Sequence, residues 1–271
     1  MGIDKIEGGI LNMSDRKIVA SIEARMTSSR LPGKVLMKAI NGMSMLEFMI
    51  HRVKKSQLID QIIVATTINS TDDPIIKMCK KLSINYYRGS EDDVLLRVLN
   101  AHKLVNSKII VELTGDNPLI DPKIIDQIID VYLNNNFDYV SNSHVRSFPI
   151  GVDTQVFSVD ILKEISTKTK EPYDRENVSS YIYRSGEYSL KAIIADKELF
   201  WPELRLTLDY KGDYYLIKKI IKYFYPNKKF DFFTKDIVNY LKRNIQLLEL
   251  NKDKRITIAP YQRKAKLGEN G

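Results

Sequence analysis

Residues 108–113, KIIVEL, run directly into Thr114-Gly115-Asp116-Asn117-Pro118-Leu119 and then Asp121-Pro122. A short, β-branched, almost wholly apolar run closed by turn residues reads as a strand covered on both faces, the condition of a parallel sheet. Asp121 then reads as a cap and Pro122 as a first-turn proline, opening a helix through Ile124, Ile125, Ile128, Ile129 and Tyr132. Toward the N-terminus the same grammar repeats. Residues 17–22 (KIVASI) precede a loop and a helical pattern at Leu46, Met49, Ile50 and Val53. Residues 61–67 (QIIVATT) precede Asp72-Asp73-Pro74, a helix start followed by Ile75, Ile76, Cys79 and Leu82, and then a strand at 84–87. Strands alternating with helices predict an α/β fold of three layers, helix on sheet on helix, with a mainly parallel sheet. Beyond Tyr139 the pattern loosens. Strands are expected at 139–142, 152–159, 190–194 and 204–208, and helices at 213–224 and 235–248.

Composition sets limits on what this fold can serve. The 271 residues are 44% apolar and 28% charged, ordinary globular values that exclude a disordered or collagen-like chain. No apolar run approaches the roughly 18 residues a bilayer span requires, and the N-terminus lacks a signal-type stretch, so a cytoplasmic protein without a membrane partner is expected. The division expected is an N-terminal extension at 1–16, one domain at 17–250 and a basic tail at 251–271. Cys79 has no disulfide partner and no CxxC companion, and reads as a small apolar residue on a helix. The net charge of +8 attracts polyanions. Its excess lies in residues 25–38 and in a tail carrying Lys252, Lys254, Arg255, Arg263, Lys264 and Lys266. No nucleic-acid-reading motif accompanies it, so the tail reads as a solvated segment and no nucleic-acid partner is expected.

In an open parallel sheet ligands lie beyond the carboxyl ends of the strands, so the segments after the strands matter most. Residues 23–34, EARMTSSRLPGK, gather Arg25, Arg30 and Lys34 with Thr27, Ser28, Ser29 and Gly33, a set of cations and donors suited to a triphosphate. By composition alone an ordinary solvated connection is the better reading. GxxxxGK[ST] and GxGxxG are both absent. Asp116, just past the most apolar strand, is placed to hold Mg²⁺ against phosphate, although Gly-Asp-Asn-Pro is also plain turn chemistry. In Arg205-Leu206-Thr207-Leu208-Asp209 the alternation turns the three polar residues to one face; Asp209 is then either a second metal ligand or a cap for the helix near Asp213. His51, His102 and His144 have no metal-ligand spacing, and the first two are expected partly exposed on helices. No GxSxG elbow supports hydrolase chemistry. Tyr210, Tyr214, Tyr215, Tyr223 and Tyr225 read as core or subunit contacts.

Five motifs in order, ARMTSSRLPGK, RGSEDDVLLR, TGDNPLIDP, PYDRENVSSYIY and RLTLDYKGDYYLI, closely resemble the spore-coat-polysaccharide type of cytidylyltransferase, related to the enzymes that activate Kdo and acylneuraminate sugars as CMP-sugars. The likeness runs from about residue 17 to about 224. It implies a Rossmann-like sheet of the nucleotide-diphospho-sugar transferase type. It implies that Arg25, Ser28, Arg30 and Lys34 hold the CTP phosphates, with Gly33 allowing close backbone approach and Ala24 and Met26 beside them. Arg88, Gly89 and Ser90 would lie near cytosine and ribose, with Thr66, Asp93, Thr114 and Gly115 completing the nucleotide set. The catalytic group implied is Arg25, Lys34, Asp116 and Asp209, with Mg²⁺ on Asp116 and Asp209 and Asp213 as a helper. The reaction implied is attack of a sugar hydroxyl on the α-phosphorus of CTP, giving a CMP-sugar and pyrophosphate.

His144, Arg146, Asp153, Gln155, Arg175, Glu176 and Arg205 would face the acceptor, by inheritance an acidic sugar of the nonulosonate or keto-deoxy class. Arg146 and Arg175 are candidates for its carboxylate, an ordinary ion pair being the alternative. Thr114 stands where the Kdo enzymes have glutamine, and Asn177 where the spore-coat type has histidine. By analogy a homodimer is expected, with residues 145–194 reaching the partner. Three competing readings remain: a nucleotide-sugar-dependent glycosyltransferase, for which Glu91-Asp92-Asp93 is the nearest acidic cluster; a non-catalytic basic binding protein; and a silent scaffold.

Overall fold

The computed structural model describes residues 16–252 and 263–267. Four strands, β1 (Ile18–Glu23), β2 (Gln61–Thr67), β3 (Asn85–Gly89) and β4 (Ile109–Thr114), lie parallel in the order β3-β2-β1-β4. Helices α1 (Met45–Val53), α2 (Asp73–Lys81), α3 (Val94–Leu104) and α4 (Pro122–Leu133) follow them in turn. The sheet continues through β7 (Gln155–Ser158), which runs antiparallel between β4 and β5 (Tyr139–Ser141), and ends on β8 (Leu190–Ala192), parallel to β5. Of the seven strands only β7 runs against the rest. The mainly parallel α/β sheet expected from 108–113 is therefore the one observed.

Strand alternation divides the core. Ala20, Ile22, Val64 and Val111 face the layer of α1, α2 and α4. Val19, Ile63, Ala65 and Ile110 face the layer of α3, α5 (Val159–Lys168) and α7 (Ser180–Ser185). The short α6 (Pro172–Glu176) lies against α3. A third cluster joins Met45 and Phe48 of α1 to α8 (Lys211–Lys228) and α9 (Thr234–Arg243). Among the described residues no helix is long and apolar enough to cross a membrane.

Several expectations need correction. Residues 204–208 are not a sheet strand: the sheet already ends at β8, and this segment makes one parallel bridge, Arg205 to Ile150, plus a bond from Leu208 N to the Asp116 carbonyl at 2.7 Å. The alternation still holds, because Leu204, Leu206 and Leu208 all enter the third core cluster. The expected 235–248 helix breaks at Asn244 into α9 and the 3-10 segment Ile245–Leu250. His102 is fully buried on α3, not partly exposed, because α3 is covered by both the sheet and α5. Cys79 is buried on α2, as expected. Part of the basic tail is ordered: β9 (Arg263–Lys264) pairs in parallel with β6 (Val145–Arg146). Lys254, Arg255 and positions 1–15 lie outside the described residues.

Candidate active site

Beyond the carboxyl ends of β1 and β4 opens a cleft of about 350 Å³. One wall is the loop after β1, contributing Ala24, Arg25, Ser28, Ser29, Arg30 and Lys34. Glu23, Thr114 and Asp116 form the floor, and Val94 and Arg97 of α3 with Glu176 and Asn177 after α6 close the far side. Several β–loop–α connections thus converge where an open sheet places its ligands.

The deepest feature is an ion network. Lys34, only 8% exposed, donates from Nζ to Asp116 Oδ2 at 2.8 Å and to Asp209 Oδ1 at 3.0 Å. Arg30 reaches the same Asp209 Oδ1 at 2.5 Å, and Arg205 lies 3.4 Å from Oδ2. Burial alone would lower the Lys34 pKa, but Asp116 and Asp209 outweigh it and hold the ammonium above its ordinary value. Burial would likewise raise Asp209, and Lys34 and Arg30 hold it below the usual carboxylate range instead. Both groups are therefore charged at neutral pH. The network joins residues far apart in sequence because Leu208 N and Thr207 Oγ1 bond the Asp116 carbonyl, at 2.7 and 3.4 Å, seating the 205–209 segment on the loop after β4.

Two carboxylates converging on one cation give a test for a divalent ion. No group of three or more His, Cys, Asp or Glu suited to a metal occurs among the described residues. An ion held by Asp116 and Asp209 would take its other ligands from water and phosphate, which is the habit of Mg²⁺ and not of structural zinc. The donor set fits Mg²⁺, with the Lys34 ammonium now filling the position between the carboxylates.

The loop wall is set by one residue that reading the sequence had placed only as a helix start. Asp72, fully buried, accepts from Met26 N at 2.8 Å on one oxygen. Its other oxygen accepts from Thr66 Oγ1 at 2.9 Å, Thr67 N at 3.1 Å and Thr67 Oγ1 at 2.6 Å. The Met26 carbonyl then accepts from Gly33 N at 2.8 Å, closing the loop on itself. Gly33 has φ +71°, a conformation costly for any residue with a Cβ. At the floor, a Cβ on Gly115 would stand 2.8 Å from the Glu23 carbonyl, to which Gly115 N already donates, so the β1 and β4 ends can meet only with glycine there.

This geometry agrees with comparison to known proteins. A family model described as cytidylyltransferase matches residues 19–256. The chain belongs to the cytidylyltransferase family. Relatives include the spore coat polysaccharide biosynthesis protein SpsF of Bacillus subtilis, 32% identical, covering 84% of this chain and 95% of SpsF. A 3-deoxy-manno-octulosonate cytidylyltransferase of Koribacter versatilis is 26% identical over 70% of this chain and 74% of its own. The solved cytidylyltransferase of Leptospira borgpetersenii superposes with a TM-score of 0.81 at 32% identity, covering 89% of this chain and 99% of that one.

This cytidylyltransferase is thus a CTP-dependent nucleotidyltransferase, and its residues sort clearly against expectation. Ala24, Arg25, Ser28, Arg30, Lys34, Thr114, Asp116 and Glu176 line the cleft. Asp209 joins through the ion network. Met26, Gly33 and Gly115 shape the loop and floor. Other residues are used elsewhere. Thr66 is fully buried with its hydroxyl on Asp72, so it braces the loop from behind instead of reaching a nucleotide. Arg88 spends its guanidinium on the Thr67 and Asn69 carbonyls and on Asp73, each at 2.8 Å, tying β3 to the β2–α2 connection next to Gly89. Asp93 caps α3 by accepting from Leu96 N, and Ser90 Oγ accepts from Asp93 N. Asp213 is fully buried behind Asp209: it accepts from Asp209 N, Tyr210 N and Arg205 on one oxygen and from Asn251 on the other. Its oxygens are occupied, so it positions Asp209 and is not set to bind a metal itself.

The residues expected at the acceptor are mostly engaged as well. Arg146 pairs with Asp153 and Arg175 with Asp93, so both guanidinium groups are engaged in ion pairs in this structure. His144 bonds Ser141 Oγ through Nδ1 at 2.8 Å, and burial pushes its pKa down to about 4. Gln155 sits in β7 opposite Glu112. Glu23, Arg97 and Asn177 line the cleft without having been singled out as site residues. A carboxylate closing a strand directly before the basic loop was the available signal for Glu23.

Proposed function

We propose that the protein condenses CTP with an acidic sugar of the nonulosonate or keto-deoxy class, giving a CMP-sugar and pyrophosphate for surface polysaccharide or glycan synthesis. The observation that carries the reading is Lys34 held between Asp116 and Asp209 at the mouth of a basic loop. A buried ammonium between two carboxylates is a site for exchange of charge: a triphosphate brings anions for Lys34, Arg30 and Arg25, and frees Asp116 and Asp209 to hold Mg²⁺. When bound, Mg²⁺ would neutralise charge on the phosphate oxygens and the leaving pyrophosphate. Arg30 and Lys34 hold the triphosphate in line for attack, Ser28 adds a donor, and the cleft walls keep the acceptor hydroxyl facing the α-phosphorus. The likeness to a 3-deoxy-manno-octulosonate enzyme supports a sugar-acid acceptor.

The test is pyrophosphate release with Mg²⁺ and each of the four nucleoside triphosphates against a panel of sugar acids and sugar phosphates. Release with CTP and a sugar acid is expected, reduced by about 100-fold or more in Lys34→Ala and Asp116→Ala, the usual effect of removing one preorganised charge from such a site. No release from any pair, with no CTP-induced rise in Tm, would overturn the reading.

A further inference from the structure

Glu23 and Glu112 are a pair of carboxylates that neither the ion network nor the loop uses. Glu23 ends β1 and lines the cleft; Glu112 lies in β4, opposite Ser21, and points to the same side of the sheet as Glu23 and Thr114. Glu112 is only 4% exposed, and its Oε2 has no hydrogen-bond partner. Around it lie two further buried groups without partners, the Tyr139 hydroxyl from β5 and Gln155 Oε1 from β7, the residue directly opposite Glu112. Among the described residues neither glutamate makes a salt bridge: Glu23 accepts from Ser21 Oγ at 3.4 Å, and Arg97 is the cation that acts on it electrostatically. Arg97 gives its guanidinium to the Ser90 and Glu91 carbonyls and leaves Nε unpartnered. Burial first and then the neighbouring Glu112 hold Glu23 well above the usual carboxylate range, and burial pushes Glu112 up to about 7.

A buried carboxylate left without partner is costly and rare, and two side by side repel. Two acceptors, Glu112 Oε2 and Gln155 Oε1, are left unfilled in this corner, and Glu23 of the pair lines the cleft. On the opposite wall Arg25, Arg30 and Lys34 supply all the positive charge a triphosphate requires.

Resting on the cytidylyltransferase reading above, we propose that the acceptor sugar carries a free amino group, bound as an ammonium by Glu23 and Glu112. This places the acceptor on the α3–α6 side of the cleft and makes the two glutamates specificity-determining residues. An N-acetyl group, bulkier and uncharged, and a hydroxyl each bring one donor and no charge, so either would satisfy at most one carboxylate oxygen.

The experiment compares kcat/KM for three matched sugar acids: one with a free amine, its N-acetyl derivative and its hydroxyl counterpart. The amine is expected to be preferred by about tenfold to a hundredfold, the scale of a hydrogen bond to a charged group. In Glu112→Gln that preference should fall at least about tenfold, and Glu23→Gln should act in the same direction. Because the ratio is taken between two acceptors on one preparation, the folded fraction cancels, and a variant that is merely less stable does not move it. Equal or better use of the hydroxyl or N-acetyl sugar would overturn the proposal while leaving CTP turnover standing, as would an unchanged ratio in both variants. Absence of CTP turnover with every acceptor would instead remove both readings together.

Discussion

Asp72 is the residue whose replacement best tests how the cleft is held. The aspartate accepts four hydrogen bonds, one from Met26 N on Oδ1 and three from Thr66 and Thr67 on Oδ2. Asn at this position has one accepting oxygen and an amide that only donates. If the oxygen stays with Met26 N, the amide meets the Thr67 N–H; if it flips, the amide meets Met26 N. The threonine hydroxyls can rotate to accept, but the two backbone N–H groups cannot, so one of them loses its acceptor in either orientation. Leaving one buried backbone donor unsatisfied costs about 1–3 kcal/mol, and loss of the charge on the remaining bonds adds about 1 kcal/mol. Asp72→Asn should therefore destabilise by about 2–4 kcal/mol. Urea unfolding with an unchanged m-value is the direct assay. Because Met26 N anchors the wall carrying Arg25, Ser28 and Arg30, the variant should also show a higher KM for CTP and a smaller CTP-induced rise in Tm. A stability change below about 0.5 kcal/mol with an unaltered KM would refute the reasoning, since no arrangement of an amide at Asp72 satisfies both N–H groups.

Two further outcomes are expected. Glu112, with a folded pKa of about 7 against an ordinary 4.5, binds its proton more tightly in the folded state than in the unfolded one. Its contribution to stability is present below pH 4.5 and is lost as pH rises toward 7; in Glu112→Gln the slope of unfolding free energy between those values should flatten, as read by denaturation at several pH values. Gly115→Ala places a methyl 2.8 Å from the Glu23 carbonyl, backbone against backbone. It should cost about 1–3 kcal/mol by overpacking and reduce pyrophosphate release more than Tm, because the displaced strand ends carry Glu23 and Asp116.

The parallel half of the sheet was legible because each of its strands carries its signal locally: an apolar run, then turn residues, then a helical period. Asp116 was legible for the same reason, as a charge placed directly after such a strand, whereas Lys34, farther along the loop after β1, stood out through the resemblance of its motif. What escaped depends on partners distant in the chain. Arg146 and Arg175 look like open cations until Asp153 and Asp93 are seen against them, the second pair 82 residues apart. Thr66 reads as a polar strand end until Asp72 takes its hydroxyl. Glu112 was in plain view inside KIIVEL, but one carboxylate in an apolar run says only that the strand is interrupted; that it is buried beside Glu23 appears only once β1 and β4 are in register. Residues 204–208 alternate as a strand would, yet alternation reports only that one side of an extended segment is covered, whether by sheet or by helices.

The bond from Leu208 N to the Asp116 carbonyl has a consequence for how the molecule acquires its site. Asp116 belongs to the part of the chain with local β–α order, whereas Asp209 arrives on a segment that docks only when α8 and α9 have closed the third core cluster. Closing so long a loop is slow relative to forming neighbouring β–α units. A chain that has completed its parallel strands but not docked its last third has a sheet and a basic loop, yet no second carboxylate for Lys34. Such a species should be blind to any ligand that needs both aspartates. Protection by nucleotide during refolding should therefore appear late, with the docking of the C-terminal helices, and not with the first gain of secondary structure.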